Sequence, residues 1–219
     1  MVPATLDKVV QLYRSSMGLA LLTQRFLREV EQLKRMALNT EVFAEREAQG
    51  AAVFQVLARE LGRIAEDVRE VVQALYASSR RVAGSAVQSA ALVRRLEKYR
   101  LAIDHGVRGA TADRLRRRLS SDDASFAAGS QAIEESLRKA DAALSDLSHL
   151  QQQLPMISTF LRIEASRDTL GDGALVASGG ALDVASATIG ALLTRVRGRT
   201  EETLLLLDDI GGEAERCAS

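Results

Sequence analysis

Apolar side chains recur along this sequence at alternating steps of three and four residues, in four separate stretches. From Leu57 the steps land on Leu61, Ile64, Val68, Val71, Leu75, Val82, Leu92, Leu96, Tyr99 and Ile103, with Ser78, Ser85 and Ser89 as the only polar steps. From Phe126 they land on Ile133, Leu137, Ala140, Leu144, Leu147, Leu154, Leu161 and Ala165, broken by Ser130, Gln151 and Ser158. From Leu175 they pass through Leu182, Ala185, Ile189, Leu192, Val196, Leu206 and Ile210, with Ser178, Arg199 and Thr203 in the same seam. The first stretch divides into two registers. Leu6, Val10, Tyr13, Met17 and Ala20 form one, and Phe26, Val30, Leu33, Ala37, Thr40 and Ala44 form the other, as a stutter near Gln24 produces.

A mean spacing of 3.5 residues lines one side of an α-helix with apolar groups, and such a helix is stable only when that stripe is buried against others. Four stretches of roughly 40 to 55 residues predict helices of about 60 to 80 Å. Helix breakers fall between them, at Gln49 and Gly50, at His105 to Gly109, and at Gly171 to Gly173. The expected fold is all-α: an antiparallel four-helix coiled-coil bundle made of two long tandem hairpins. Hairpin one is placed at 4–104, a connection at 105–125 and hairpin two at 126–215, all within one elongated bundle spanning 1–219. Ser120 to Ser125 reads as a break with an N-cap for the third helix. Pro155 predicts a bend within that helix, and Gly179 with Gly180 predicts a close helix approach or local flexibility.

Composition agrees with long packed helices. The chain of 219 residues has 2 Pro, 5 Phe, 3 Tyr and no Trp, while 26% of it is charged. Twenty-nine basic and 29 acidic residues sum to a net charge of zero, which argues against general nucleic-acid binding. The basic cluster Arg114, Arg116, Arg117 and Arg118 is flanked by Asp113, Asp122 and Asp123 and reads as a solvated helix face. No apolar run approaches the length of a membrane span, and the one cysteine, Cys217, lies near the C-terminus, so a soluble chain in a reducing cytoplasm, without membrane insertion, is expected.

A segment around Gly50 can be laid without gaps on a segment 121 residues later. Val42 then matches Ile163, Ala44 matches Ala165, Arg46 matches Arg167, Gly50 matches Gly171 and Phe54 matches Leu175. An internal repeat of this kind makes the two hairpins copies of one design. The first copy reads Leu38-Asn39, Val42, Ala44, Arg46, Gly50, then Phe54, Val56, Leu57, Ala58, Glu60, Leu61, Ile64 and Ala65. The second keeps Arg162-Ile163-Glu164-Ala165-Ser166-Arg167, then Gly171 and Gly173.

These residues resemble the hairpin tip of bacterial methyl-accepting chemotaxis receptors, whose pattern is an L-N-A-x-I-E-A-A-R run, a glycine-bearing turn and an F-A-V-V-A-x-E-V-R-x-L-A run. The sequence departs from that pattern at Phe43, where the family has glutamate, and at Phe160, which stands in the asparagine position. The resemblance implies a non-catalytic signalling or scaffold protein whose tips dock a chemosensory histidine kinase, its SH3-like coupling protein, or chemoreceptors. It also implies a covalent, asymmetric counterpart of a receptor dimer. The tip residues it singles out are Asn39, Phe43, Arg46, Gly50 and Phe54 on one hairpin, and Glu164, Arg167, Gly171 and Leu175 on the other.

Each has a plainer reading beside the functional one. Arg46 and Arg167 suit the end of a helix, where a cation meets free carbonyls, and Phe43 and Phe54 suit core packing. Glu134-Glu135 and Glu201-Glu202, with Arg138 and Arg199 beside them, read as solvated faces. The segment His105-Gly106-Val107-Arg108-Gly109 is similar to the H-x-x-K-G element of histidine phosphotransfer domains, which makes His105 a rival candidate for carrying a phosphoryl group. Its two glycines serve equally well to stop a helix. A purely structural coiled coil is the third alternative. No metal-ligand spacing, phosphate loop or nucleophile–base pair is present in the sequence, and neither an enzyme, a cofactor nor a small-molecule ligand is expected.

Overall fold

The computed structural model describes residues 2–46, 51–167 and 173–218. They form four α-helices: α1 (Val2–Arg46), α2 (Ala51–Asp104), α3 (Ala110–Arg167) and α4 (Gly173–Ala218). No strand occurs among the described residues. The chain divides into two compact units, each drawing on all four helices. Unit 1 comprises 1–21, 77–140 and 198–219, and unit 2 comprises 22–76 and 141–197.

In unit 1, α1 and α4 run antiparallel. Lys8 pairs with Asp209 at 2.7 Å, and about two helical turns further along the Ser15 and Thr203 hydroxyls meet at 3.0 Å. Helices α2 and α3 also run antiparallel there, joined by Arg95 with Asp122 and Arg100 with Asp123. In unit 2, Lys34 of α1 reaches Glu66 of α2, and α3 and α4 are bonded through Gln151 to Ser186 and Ser158 to Gly179. Large aliphatic side chains fill both units: Leu12, Leu19 and Leu137 in unit 1, and Phe26, Leu33, Leu61, Leu75 and Leu154 in unit 2 are essentially sealed from solvent.

Three expectations are corrected. Helix α1 holds a single register, with Val9, Leu12, Ser16, Leu19, Thr23, Phe26, Val30, Leu33, Ala37 and Thr40 all buried. Met17 is exposed, so no stutter is needed near Gln24. The true seam passes through hydroxyl residues, which a search for apolar steps skips. Ser16 donates to the Leu12 carbonyl at 2.6 Å and Thr40 to the Met36 carbonyl at 2.9 Å, so each satisfies its hydroxyl within its own helix and can face the core. The second correction concerns α4, where Ser186, Thr200 and Leu207 are buried and Arg199 is an exposed partner of Glu202. The same property of short hydroxyl side chains hides Ser186 and Thr200 from a hydropathy pattern.

The third correction shortens the connection. Helix α3 begins at Ala110 and runs unbroken through 120–125, leaving only 105–109 between helices, in place of a connection at 105–125. Ser125 donates to the Ser121 carbonyl at 2.9 Å as an interior helical residue and does not cap a new helix. Helix α3 also continues through Pro155 as one element.

The α2–α3 turn follows from its two glycines. Gly106 has φ of 87° and Gly109 of 67°. The Gly106 N–H donates to the Ile103 carbonyl at 3.0 Å and the Val107 N–H to the Ala102 carbonyl at 3.4 Å. That pair of bonds around a left-handed glycine is the Schellman stop of a helix. Gly109 then accepts the Asp113 N–H at 3.2 Å to open α3.

Candidate functional site

The candidate site is built on the helix ends that flank the two hairpin turns, all within unit 2. Arg46 is the last residue of α1 and Arg167 the last residue of α3, so the two helices stop at positions that the 121-residue offset makes equivalent. The equivalence extends well beyond the tips. Buried Phe26, Leu33, Ala37 and Thr40 correspond to buried Leu147, Leu154, Ser158 and Leu161. In the partner helices, Leu61, Ala65, Val68, Val72 and Leu75 correspond to Leu182, Ser186, Ile189, Leu193 and Val196, again all buried.

Asn39 is exposed on α1, between the buried seam residues Ala37 and Thr40. Glu164 is half-buried near the end of α3. Phe43 lies in the last turn of α1, while Phe54 and Leu175 lie in the first turns of α2 and α4. Gly50 and Gly171 lie outside the described residues. His105 is exposed and is the first residue beyond α2, its N–H donating to the Leu101 carbonyl at 2.9 Å. Both glycines of its short element are used by the turn, which is the geometry of a helix stop.

What sequence reasoning passed over is a set of exposed apolar side chains beside these turns. On α3, Met156 (56% exposed), Phe160 (48%) and Ile163 (42%) follow at steps of four and three, so they share one face of the helix. On α1, Leu38 and Val42 are exposed one turn apart, and on α2 Val53 and Val56 are exposed near its start. The signal was available: all seven lie off the buried seam yet remain apolar. Exposed apolar groups scattered singly are normal, whereas Met156, Phe160 and Ile163 form a stripe along one face of one helix.

Several charged side chains nearby are paired. Arg162 meets Asp183 at 3.2 Å, and Arg63 bridges Glu60 and Asp67 along α2, both at 2.6 Å. The Glu60 carboxyl is held below the usual glutamate range by its hydrogen bond from Arg63, against a smaller opposing effect of burial. Away from the tips, Glu134 pairs with Arg138 and Glu135 with Lys139, each one turn along α3, as a solvated helix face does. No family model matches the chain, and neither a curated protein nor a solved structure matches it. Among the described residues, no group of three or more His, Cys, Asp or Glu could hold a metal, and no helix is long and apolar enough to cross a membrane. The arrangement therefore offers contact chemistry, an apolar stripe bordered by paired charges.

Proposed function

We propose that this chain is a non-catalytic, chemoreceptor-like signalling or scaffold protein that binds a chemosensory histidine kinase, its coupling protein or a receptor through its two hairpin tips. The observation that carries the proposal is the exposed stripe Met156, Phe160 and Ile163 beside the second turn, with Leu38, Val42, Val53 and Val56 beside the first. These are the same segments whose residues resemble the docking tip of chemotaxis receptors. Leaving seven such side chains in water forgoes the favourable transfer of their apolar area, which binding would recover.

The two tips are unlike. Asn39 on one corresponds to Phe160 on the other, and Phe43 corresponds to Glu164. A partner meeting both would contact an asymmetric surface, with an aromatic anchor on the second tip. The test is a pull-down of purified kinase and coupling protein by the full chain, repeated with Phe160→Glu, Arg46→Ala and Arg167→Ala. The proposal expects capture by the parent, at least about a tenfold loss with Phe160→Glu, as truncating or charging a hot-spot residue gives, and helicity unchanged in every variant. Absence of capture by the parent chain contradicts the array-partner assignment.

A further inference from the structure

The zero net charge of the chain conceals a strongly basic segment. Residues 94–118, which surround the α2–α3 turn in unit 1, carry nine basic side chains against three acidic ones. Within this segment Arg95 and Arg100 are committed to Asp122 and Asp123, and Arg116 to Asp113. Arg94, Lys98, Arg108, Arg114 and Arg118 are exposed and have no carboxylate partner among the described residues. Five unpaired cations within one hairpin end raise the local potential well above what a neutral molecule suggests.

Two further observations say what such a surface fits. Thr111, Arg114, Leu115, Arg117 and Arg118 line an open hollow of about 500 Å³, in which guanidinium forks can bind phosphate oxygens two at a time. On α2, Leu101 is 56% exposed and lies on the face of Arg94 and Lys98, at steps of four and three. An apolar side chain among cations gains by entering the interface of an anionic bilayer, whereas a nucleic-acid backbone offers it nothing. The segment's one Phe, Tyr or Trp ring, Tyr99, is half-buried, which leaves only the His105 imidazole exposed for a base to stack on.

We infer that the α2–α3 hairpin end is a docking surface for an anionic phospholipid membrane, holding headgroup phosphates with Arg94, Lys98, Arg108, Arg114 and Arg118 while Leu101 enters the interface. The contact is peripheral and reversible, and its strength depends on salt because the cations are exposed. It is independent of the tip residues and stands whether or not they bind a kinase.

The experiment is co-sedimentation of the full chain with vesicles of phosphatidylcholine containing about 30% phosphatidylserine, at low and at roughly 500 mM salt, where charge interactions are screened within about 4 Å. Pure phosphatidylcholine vesicles, a DNA duplex and polyglutamate serve as the other arms. The inference expects binding that requires phosphatidylserine and disappears at high salt. Each cation near such a surface contributes about a fivefold gain in affinity. Replacing Arg108, Arg114 and Arg118 with Gln together is thus expected to weaken binding on the order of a hundredfold. Arg94→Gln with Lys98→Gln provides a second variant on the other helix, and far-ultraviolet circular dichroism confirms folding of both. Leu101→Asn is expected to weaken vesicle binding severalfold while leaving any residual duplex binding unchanged. No phosphatidylserine-dependent binding by the parent, or tighter binding to the duplex or to polyglutamate than to vesicles, overturns the inference.

Discussion

In unit 2 the two hairpins fill four equivalent seam positions with different chemistry. Hairpin one has Val30, Ala37, Ala58 and Ala65, all within 4% of complete burial. Hairpin two has Gln151, Ser158, Gly179 and Ser186 at the same places. There the Ser158 hydroxyl donates across to the Gly179 carbonyl at 3.0 Å, and the Gln151 amide donates to the Ser186 hydroxyl at 3.2 Å. One hairpin is closed by apolar contact and the other by hydrogen bonds between its helices. The seam geometry is common to both, so what a helical hairpin requires at these positions is small size and a satisfied polar group, not apolarity as such.

Gly179 shows why the second solution constrains the chain more. A Cβ added there would stand 2.8 Å from Arg162 Cγ and 3.5 Å from the Ser158 carbonyl oxygen, while a Cβ at Gly180 meets nothing within 4 Å. The two adjacent glycines thus separate the alternatives of close approach and open surface. Substituting Gly179→Val is expected to give the largest effect, a loss of about 3 kcal/mol from overpacking a close helix contact, read as a lowered urea midpoint. If hairpin two tolerates valine there without loss, the close approach carries no energy and the contrast with Ala58 dissolves.

Gln151→Val alone leaves the buried Ser186 hydroxyl without its cross-helix partner and is expected to destabilise by about 2 kcal/mol. The double variant Gln151→Val with Ser186→Ala restores the pair found in hairpin one and should recover most of that loss, since removing both partners can be nearly neutral. A double variant no better than the single one would show that the amide contributes by some route other than this bond. Gly180→Ala is expected to stabilise by about 1 kcal/mol, because alanine gains helix propensity and the site is open. A loss on thermal melting would place Gly180 in a contact that its open surroundings exclude.

The smallest effect belongs to the ion pairs of hairpin one. Glu66 is held below the ordinary glutamate range, first by its hydrogen bond from Arg69, then by the charge of Arg69 and by Lys34, against opposing desolvation. A carboxyl depressed in the folded state adds stability above its unfolded pKa and loses it as pH falls through the folded value. The difference in melting temperature between the parent and Glu66→Gln should therefore be slight at neutral pH and low salt, and vanish in acid. Exposure of these groups to solvent keeps it small.

The helical count, the hairpin order and the repeat were legible in the sequence because large apolar residues such as Leu33, Leu61, Leu137 and Leu154 mark the seam at every turn. Where the seam runs through Ser16, Thr23, Ser186 and Thr200, hydropathy carries no signal; Ser16 bonds back to its own helix and Ser186 bonds across to Gln151. Reading Met17 and Arg199 into the core was the direct consequence. The start of α3 was hidden for a different reason. Serine and aspartate at 120–125 resemble an N-cap, yet they lie within a helix that starts at Ala110. At the tips, the arginines and the turn glycines stand out from the repeat, whereas Met156, Phe160 and Ile163 are legible only as apolar residues lying off the seam of Leu154, Ser158 and Leu161.

The central claim, that the two hairpins are equivalent copies closed by interchangeable chemistry, is tested most directly by giving hairpin two the buried residues of hairpin one. The variant combines Gln151→Val, Ser158→Ala and Ser186→Ala, leaves Gly179 in place because a Cβ there would stand 2.8 Å from Arg162 Cγ, and is followed by thermal unfolding with circular dichroism at 222 nm. Equivalence predicts undiminished helicity and a melting temperature equal to or above that of the parent. A fall in melting temperature of roughly 5 °C or more, the mark of about 1 to 2 kcal/mol lost in a chain of this size, would contradict it.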